Sequence, residues 1–161
     1  HRALIAAAQA AGVRRFVYTS VRGAGPGHPI DFFRTKHAVE QALLASGLDA
    51  VILRPSAFME HHVHALNGLA VLDKGKARLI GPGTKLRNFV CAADVARFAL
   101  RALLDDPPPF RRLDIGGHGQ HSNAQVAALY AREAGVAPRA SHLPRGVAAG
   151  ARTRSSMDRS P

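Results

Sequence analysis

The chain has 161 residues, of which 47% are apolar, enough for the core of one ordinary globular domain and too many for a disordered chain. No apolar run reaches the roughly 20 residues that cross a bilayer, and no secretory leader opens the chain, so we expect a cytoplasmic protein. The single cysteine, Cys91, has no partner for an internal disulfide, and its apolar surroundings predict a small core residue rather than a nucleophile.

The net charge of +11 raises the question of nucleic-acid binding, because Lys and Arg that neutralise phosphates supply most non-specific affinity. Residues 139–161 carry +4 of this charge, and the other basic residues are scattered rather than arranged in a stripe. Net charge reports on solubility and non-specific association more than on fold. A basic nucleic-acid-binding module is therefore kept only as a second alternative.

Helix and strand patterns alternate along the first part of the chain: helix over 4–11, strand over 14–20, helix over 32–46 and strand over 49–55. Gly12 and Gly47 stand where helices commonly end, and Asp31 is the expected N-cap of the third element. Pro55 ends the second strand. This alternation with short connections predicts a parallel α/β sheet with helices on both faces.

The second part of the chain is more mixed. It predicts a helix over 56–72, short strands over 77–91 around a Gly-Pro-Gly turn, a helix over 92–106, a strand over 111–117 and a helix over 122–135. Ser122 is the expected cap of the last helix. Residues 139–161 are rich in Arg, Ser, Ala and Gly without periodicity, which predicts a basic, disordered tail.

Ligands of parallel α/β sheets bind outside the carboxyl ends of the strands, so the loops that begin at Ser20 and Pro55 are the places for a site. The glycines of the first loop do not match the phosphate-binding spacing G-x-G-x-x-G, and no G-x-S-x-G turn supports a serine hydrolase. His61 and His64 lie on neighbouring helical positions, but no acidic or cysteine partner supports them, so we expect no metal site.

Lys36 is the charge of interest on the helix over 32–46. Periodicity places Phe32, Val39 and Leu43 on the inner face of that helix. From the residues alone, Lys36 is a solvated charge that pairs with Glu40 four positions later, a contact worth a few tenths of a kcal/mol.

Four segments together resemble a known family: AGVRRFVYTS (11–20), FFRTKHAVEQALLASGLDAVILRPSAFME (32–60), RNFVCAADVARFALRALL (87–104) and LDIGGHGQHSNAQVAALYAREAG (113–135). Their order and spacing are similar to the second half of an atypical short-chain dehydrogenase/reductase of the NmrA-like, quinone-reductase-like group that binds NAD(P)H. SGLDAVILRPSAFME after a K-x-x-x-E helix is the most specific part. The resemblance covers residues 3–136.

The resemblance implies a role for Lys36 and a missing partner. In the wider superfamily a tyrosine and a lysine four residues apart form the catalytic pair, and the lysine binds the nicotinamide ribose and lowers the tyrosine pKa. Lys36 matches this lysine, so it is the expected catalytic and cofactor-binding residue. Phe32 occupies the tyrosine position, and phenylalanine has no proton to give.

The resemblance also implies the rest of the site. Residues at the end of the first strand match those along the nicotinamide side of the cofactor: Thr19, Ser20 and Val21. Residues that end the second strand match the segment over the nicotinamide: Pro55, Ser56, Ala57 and Phe58. Phe58, Met59 and His62 would line a substrate pocket. The cofactor would be NADP or NAD, with NADP slightly favoured by the resemblance.

The family's glycine-rich turn has no match here, and the chain opens with His1 directly before a helix. We therefore expect a piece of a longer protein, in which residues 1–138 form an incomplete NAD(P)-binding Rossmann-type domain with a small C-terminal α/β substrate-side region. The strand at 16–19 would then have an exposed edge, an aggregation hazard. We expect the 161-residue chain alone to be marginally folded and not to bind dinucleotide.

The leading functional prediction is an oxidoreductase that transfers hydride from NAD(P)H to a quinone or another small acceptor. Because Phe32 puts ordinary carbonyl reduction in doubt, the first alternative is a non-catalytic NAD(P)H-sensing regulator. The expected partners are the dinucleotide and a small-molecule acceptor, with no membrane. A protein partner or a second copy of the chain fits either prediction.

Overall fold

The computed structural model describes residues 1–137 and 139–143. Its elements in chain order are α1 Arg2–Ala10, β1 Arg15–Thr19, α2 Asp31–Leu44, β2 Asp49–Pro55, β3 Ala57–Phe58, a π-helix Glu60–Gly68, α3 Leu69–Lys74, β4 Ala77–Ile80, β5 Leu86–Val90, α4 Ala92–Leu104, β6 Arg112–Ile115, β7 Gln120–Ser122, α5 Asn123–Glu133 and β8 Ala140–Leu143. The described residues form two compact units, one of His1–Phe58 with Val90–Gly117 and one of Met59–Phe89 with the described residues from His118 onward.

The first unit is built on a parallel sheet with the order β1-β2-β6. Val17 of β1 lies opposite Val51 of β2, and Leu53 lies opposite Leu113 of β6. In the part of the chain that the structure describes, β1 is an edge strand of this sheet. The predicted parallel α/β arrangement is confirmed.

Helices cover both faces of this sheet. On one face, Ile5 of α1 and Leu43 of α2 are buried with Tyr18 of β1. On the other, Val95 and Ala102 of α4 pack on side chains of β2. Fully burying one such apolar side chain stabilises the fold by roughly 1.5–3 kcal/mol, so these two clusters hold α2 and α4 against the strands.

Arg15 anchors the amino end of the sheet to the end of α4. Its side chain is only 6% exposed and pairs with Asp49 at 2.7 Å. The same guanidinium donates to the main-chain carbonyls of Ala102 at 3.2 Å, Leu103 at 3.3 Å and Asp105 at 2.5 Å. These carbonyls belong to the last turn of α4, where backbone acceptors lack helical partners. Arg15 therefore acts as a side-chain cap for that helix.

The start of α2 differs from the expectation in two respects. Ile30 occupies the N-cap position without a side-chain cap bond, and Asp31 is the first helical residue, paired with Arg34 at 3.2 Å. The expected Asp31 cap is therefore wrong, although its carboxylate lies where the helix dipole favours an anion. Gly47, with φ +77°, follows the helix end as expected.

The inner face of α2 is only partly as expected. Leu43 is buried and Val39 is half-buried, but Phe32 is 53% exposed. The neighbouring Phe33 faces the molecule instead, and its ring stacks on His28 at 3.9 Å between centroids. The first turn of α2 thus packs on the loop after β1 through Phe33.

The start of α4 and its inner face also need correction. Cys91 is half-buried and caps the helix, since its Sγ accepts from the Asp94 main-chain N–H at 3.4 Å. Helical spacing puts Val95, Ala99 and Leu103 on one face of α4, but Leu103 is 47% exposed. Ala102, seven residues after Val95 and so on the same face, is buried in its place.

The helix expected over 56–72 is replaced by β3 in the first unit and by the π-helix and α3 in the second. Within the π-helix, the Asn67 side chain donates to the carbonyl of His62, five residues earlier, at 2.5 Å. A Cβ at Gly68 would lie 2.4 Å from the ring of Tyr130, so only glycine lets the π-helix approach α5 so closely. The widened helix is therefore fitted to α5.

The rest of the second unit includes two strand pairs and one core cluster. β4 pairs with β8 in parallel, and β5 pairs with β7 antiparallel. Val71, Leu79 and Ala131 are buried together. Ser122 caps α5 as expected, in a reciprocal box with Gln125.

β8 lies within the segment that we expected to be a tail, and residues 144–161 of that segment lie outside the described residues. The division into residues 1–138 and 139–161 stays a prediction. Among the residues that the structure describes, no helix is long and apolar enough to span a bilayer.

Candidate functional site

The candidate site lies where β1 and β2 end side by side. Main-chain bonds continue the strand pairing beyond Thr19: the Ser20 N–H donates to the Leu53 carbonyl at 2.7 Å and the Arg22 N–H to the Pro55 carbonyl at 2.9 Å. The chain therefore leaves β1 close to the end of β2, and the two loops predicted to hold a ligand begin next to each other.

Lys36 is bound to the end of β1. Its Nζ donates to the Thr19 carbonyl at 2.9 Å and lies 5.0 Å from the centroid of the Tyr18 ring. The Phe32 ring, one helical turn earlier, is 5.9 Å from the same ammonium. Both distances are within the range of cation–π attraction. The periodicity-based pairing with Glu40 is thus replaced by a contact with the strand end.

Burial lowers the pKa of Lys36 from its ordinary value, because a partly buried ammonium loses hydration, and the charge of Glu40 offsets part of that effect. An ammonium has three N–H donors, and the Thr19 carbonyl engages one of them. Lys36 is therefore a fixed cation with donors at the carboxyl end of β1, suited to hydroxyl or anionic groups of a ligand.

Glu40 forms a buried charged network beside Lys36. Its side chain is 1% exposed and accepts a short hydrogen bond from the Ser20 hydroxyl. Arg54 donates to both carboxylate oxygens, from Nε to Oε1 at 2.9 Å and from Nη2 to Oε2 at 2.5 Å. This fork ties α2 to the carboxyl ends of both strands. We name Ser20, Glu40 and Arg54 the strand-end network.

The balance of effects on Glu40 favours its ionised form. Burial by itself would raise the pKa of this carboxyl, but the hydrogen bonds from Arg54 and Ser20 and the Arg54 charge outweigh burial and lower it. The same pairing raises the pKa of Arg54, against a smaller opposing effect of its own burial. The strand-end network is therefore a charged pair with a serine donor.

Glu40 and Arg54 are site residues that the sequence patterns did not predict. Two signals could have found them. Glu40 follows Lys36 by four positions and so lies on the same helix face. Arg54 is a charge within the otherwise apolar stretch from Ala50 to Pro55, where a buried charge needs a partner.

Tyr18 is a second polar group that the sequence analysis did not single out. The residue is buried, and its hydroxyl has no hydrogen-bond partner among the described residues. Burial, together with the charge of Glu40, raises the pKa of this phenol. Tyr18 therefore stays protonated at neutral pH beside Lys36.

The other expected site residues are only partly brought together. Within the first unit, Ser20 and Pro55 are buried, Thr19 is exposed and Val21 is half-buried. Ser56, Ala57 and Phe58 are half-buried, and Phe58 packs against the cluster between β2 and α4. These residues continue the end of β2 as expected, and their contacts with a cofactor stay a prediction.

Met59 and His62 belong to the second unit, where Met59 is exposed and precedes the π-helix. The His62 carbonyl accepts from Asn67. Their role in a substrate pocket stays a prediction. His64, considered above as a metal ligand, bonds through Nδ1 to the Tyr130 hydroxyl at 3.1 Å.

The first unit has the features that a pyridine dinucleotide requires at its nicotinamide end. Parallel strands end together, a cationic donor is fixed there by Lys36, and the apolar Phe32 ring borders it. Sugar hydroxyls accept hydrogen bonds from an ammonium, and an apolar wall suits the nicotinamide ring. The residues present therefore fit this part of the group.

Comparison with known proteins identifies a dinucleotide-binding family. A family described as NAD(P)H-binding matches residues 1–106. An NAD(P)H azoreductase of Xenophilus azovorans is 30% identical over 134 residues, which are 83% of this chain and 46% of that protein. The photosystem II assembly factor Ycf39 of a Synechocystis strain is 27% identical over 89% of this chain and 44% of its own length. The chain thus spans less than half of these relatives.

Solved structures share the fold at low identity. A UDP-glucuronic acid 4-epimerase from Bacillus cereus, in complex with NAD, has a TM-score of 0.77 at 18% identity, over 89% of this chain and 54% of that one. A UDP-glucose 4-epimerase from Thermus thermophilus, also with NAD, has a TM-score of 0.72 at 22% identity, over 88% and 55%. The fold is Rossmann-like, and the family match shows that this chain belongs to the NAD(P)H-binding family.

Proposed function

We propose that the protein is an NAD(P)H-dependent oxidoreductase of the NmrA-like group, in which Lys36 binds the nicotinamide ribose. The observation that carries this proposal is the Lys36 Nζ bond to the Thr19 carbonyl at 2.9 Å, which fixes a cation at the carboxyl end of β1. The match to the NAD(P)H-binding family supports it. Ser20 and residues 55–58 border the nicotinamide in this proposal.

The dinucleotide supplies a hydride when it is bound, and this chain must hold it and exclude competing reactions. Lys36 orients the ribose through charge-assisted hydrogen bonds, which are stronger than neutral ones. Phe32 adds an apolar surface where the wider superfamily has a proton donor. The side chains beside Lys36 therefore favour hydride acceptors that take their proton from water.

A quinone satisfies this requirement. It accepts the hydride, becomes a hydroquinone anion and takes one proton from water, while NAD(P)H becomes NAD(P)⁺. One relative is named as an azoreductase, and an azo bond likewise accepts a hydride and a proton. We propose quinones as the leading acceptor class and azo compounds as the next class to assay.

The test is NADPH and NADH oxidation by the full-length protein with a panel of quinones, azo compounds and simple ketones. We expect turnover with quinones, little with ketones, and loss of turnover in Lys36→Met. Turnover restricted to ketones would contradict the proposal. Which dinucleotide supports the higher kcat/KM decides the cofactor preference.

A sensing role is the alternative that Phe32 favours, because a site with phenylalanine where the wider superfamily has a proton donor can bind a dinucleotide without turnover. Equilibrium binding distinguishes the two functions. Tight NADPH binding together with no turnover on any acceptor of the panel would favour a regulator that responds to the NADPH to NADP⁺ ratio. Turnover with any quinone would favour the enzyme.

A further inference from the structure

The strand-end network limits the hydrogen bonds that Ser20 can form with a ligand, and the proposed function does not depend on this limit. A carboxylate can only accept hydrogen bonds, and the pKa of Glu40 is lowered, so the proton in its bond with Ser20 belongs to the serine. A serine hydroxyl has one proton. That proton is therefore committed to Glu40, and Ser20 has only lone pairs for any other partner.

Arg54 fixes this arrangement. Its guanidinium has donors only and approaches both carboxylate oxygens in a fork, at 2.9 Å to Oε1 and 2.5 Å to Oε2. The carboxylate plane, and with it the direction of the Ser20 O–H bond, is held by two hydrogen bonds. With Glu40 only 1% exposed, water does not compete for these positions.

We propose that Glu40 is a positioning residue that makes Ser20 a hydrogen-bond acceptor toward the ligand. The ligand group that meets Ser20 is then an N–H or O–H donor, and a carbonyl oxygen is disfavoured because lone pairs would face lone pairs. This inference rests on the proposed function, in which Ser20 borders the nicotinamide. The donor group of that ring is its primary carboxamide.

The proposal has a consequence for the reaction. A serine that polarises a substrate carbonyl must donate its proton, and Ser20 is already donating to Glu40. Together with Phe32, Ser20 therefore provides no acid for carbonyl reduction. Phe32 and Ser20 therefore both favour hydride acceptors that do not need a proton from either residue.

The experiment compares the binding of NADPH with that of its analogue in which an acetyl group replaces the carboxamide, using the full-length protein. The acetyl group has an acceptor but no donor. For the natural protein we expect NADPH to bind about fivefold more tightly, the value of one hydrogen bond. Ser20→Ala should remove the preference. Glu40→Gln should remove or reverse it, because its amide can donate to Ser20 and free the serine proton.

Asp49→Asn is the matched control, since it weakens the buried Arg15 pair at the opposite end of β1 and β2. Asp49→Asn should still bind NADPH more tightly than the acetyl analogue, despite its lower stability. Proton NMR of serine-labelled protein adds a readout without ligand. The Ser20 hydroxyl proton should be observable, downfield and slow to exchange, and it should be lost in Glu40→Gln.

The outcomes separate this proposal from the proposed function. The proposal is supported if the natural protein binds NADPH more tightly than the acetyl analogue and shows the Ser20 hydroxyl resonance, and if the preference disappears in Ser20→Ala and Glu40→Gln. Equal binding of both dinucleotides, or a preference that both variants keep, overturns it while NAD(P)H binding stands. If neither dinucleotide binds, the proposed function fails, and an absent Ser20 hydroxyl resonance then overturns the inference as well. If Glu40→Gln does not fold, Ser20→Ala and the wild-type spectrum decide.

Discussion

Lys36 and Glu40 lie one turn apart on the same face of α2, and each binds the carboxyl end of β1. Lys36 reaches the Thr19 carbonyl at 2.9 Å, and Glu40 accepts from the Ser20 hydroxyl. Thr19, the last residue of β1, and Ser20, which follows it, are thus held by consecutive turns of one helix. Side chains that function with precision need such fixed supports, and α2 provides them on the strand side of the site.

Removal of the Lys36 charge should weaken dinucleotide binding without unfolding the protein. Lys36→Met keeps the aliphatic stem, so we expect an affinity loss of roughly 10- to 100-fold, the value of a hydrogen bond to a charged group. Isothermal titration of the full-length protein with NADPH measures it. Lys74→Met, which removes an exposed lysine at the end of α3, is the control and should bind normally.

The affinity should also depend on pH through Lys36. Burial lowers the pKa of this ammonium below 10.5, so the charge is lost at a lower pH than for a solvated lysine. Dinucleotide affinity should therefore start to fall as the pH rises toward 10.5, while the fold is still intact. In Lys36→Met this alkaline decrease should be absent. An alkaline decrease of the same size in both proteins would assign it to another group.

Phe32→Tyr should restore a proton donor. Phe32 is 53% exposed, so a hydroxyl can be added with a stability change within about 0.5 kcal/mol. We expect the variant to gain ketone or aldehyde reduction that the natural protein lacks, measured as NADPH oxidation with a carbonyl panel. Phe33→Tyr is the matched control, because the Phe33 ring stacks on His28. The phenylalanine ring found near the Lys36 ammonium is that of Phe32. Equal carbonyl activity in both variants would contradict the role assigned to position 32.

Glu40 should contribute to stability above pH 4.5 and lose that contribution in acid. Its pKa is lowered in the folded protein, so the stabilisation is complete above the ordinary value of 4.5 and is lost as the pH falls through the folded value. Glu40→Ala leaves the half-buried Arg54 without its partner and should cost about 3 kcal/mol at neutral pH. Urea unfolding between pH 3 and 7 checks both statements. The acid-dependent decrease should be smaller in Glu40→Gln than in the natural protein.

Arg15 should be one of the most sensitive positions for stability. Arg15→Ala removes the cap of α4 and breaks the pair with Asp49, and we expect a loss of about 3–5 kcal/mol. Arg15→Lys keeps the charge but not the fork of donors, so it should rescue only part of that loss. The control is Arg97→Ala, whose pair with Asp94 is largely exposed and should change stability by less than about 1 kcal/mol. Denaturant midpoints compare the three variants.

Helix and strand periodicity predicted most elements of the first unit, because its sheet is parallel and covered on both faces. The same patterns did not show which of two neighbouring residues, Phe32 or Phe33, packs inward. They also did not identify the residues at the helix starts, where Asp31 is not the N-cap of α2 and Cys91 caps α4. The π-helix was not predictable, since the Tyr130 ring against Gly68 belongs to a distant part of the chain.

For the site, sequence reasoning found Lys36 through resemblance and assigned it a surface role through periodicity alone. It missed Glu40 and Arg54 because the pattern marks Arg54 as a charge in an apolar stretch and Glu40 as a neighbour of Lys36 without pairing the two. Glu40 and Arg54 are 14 residues apart in the chain, and the 2.5 Å contact between them is a tertiary contact. Local patterns carry no information at that range.

The most direct measurement of the central claim is a crystal structure of the full-length protein with NADPH bound. We predict that the nicotinamide ribose lies at the carboxyl end of β1, with Lys36 Nζ within about 2.7–3.2 Å of a ribose hydroxyl and Phe32 beside the ring. A dinucleotide bound elsewhere, or a ribose that Lys36 does not contact, would contradict it.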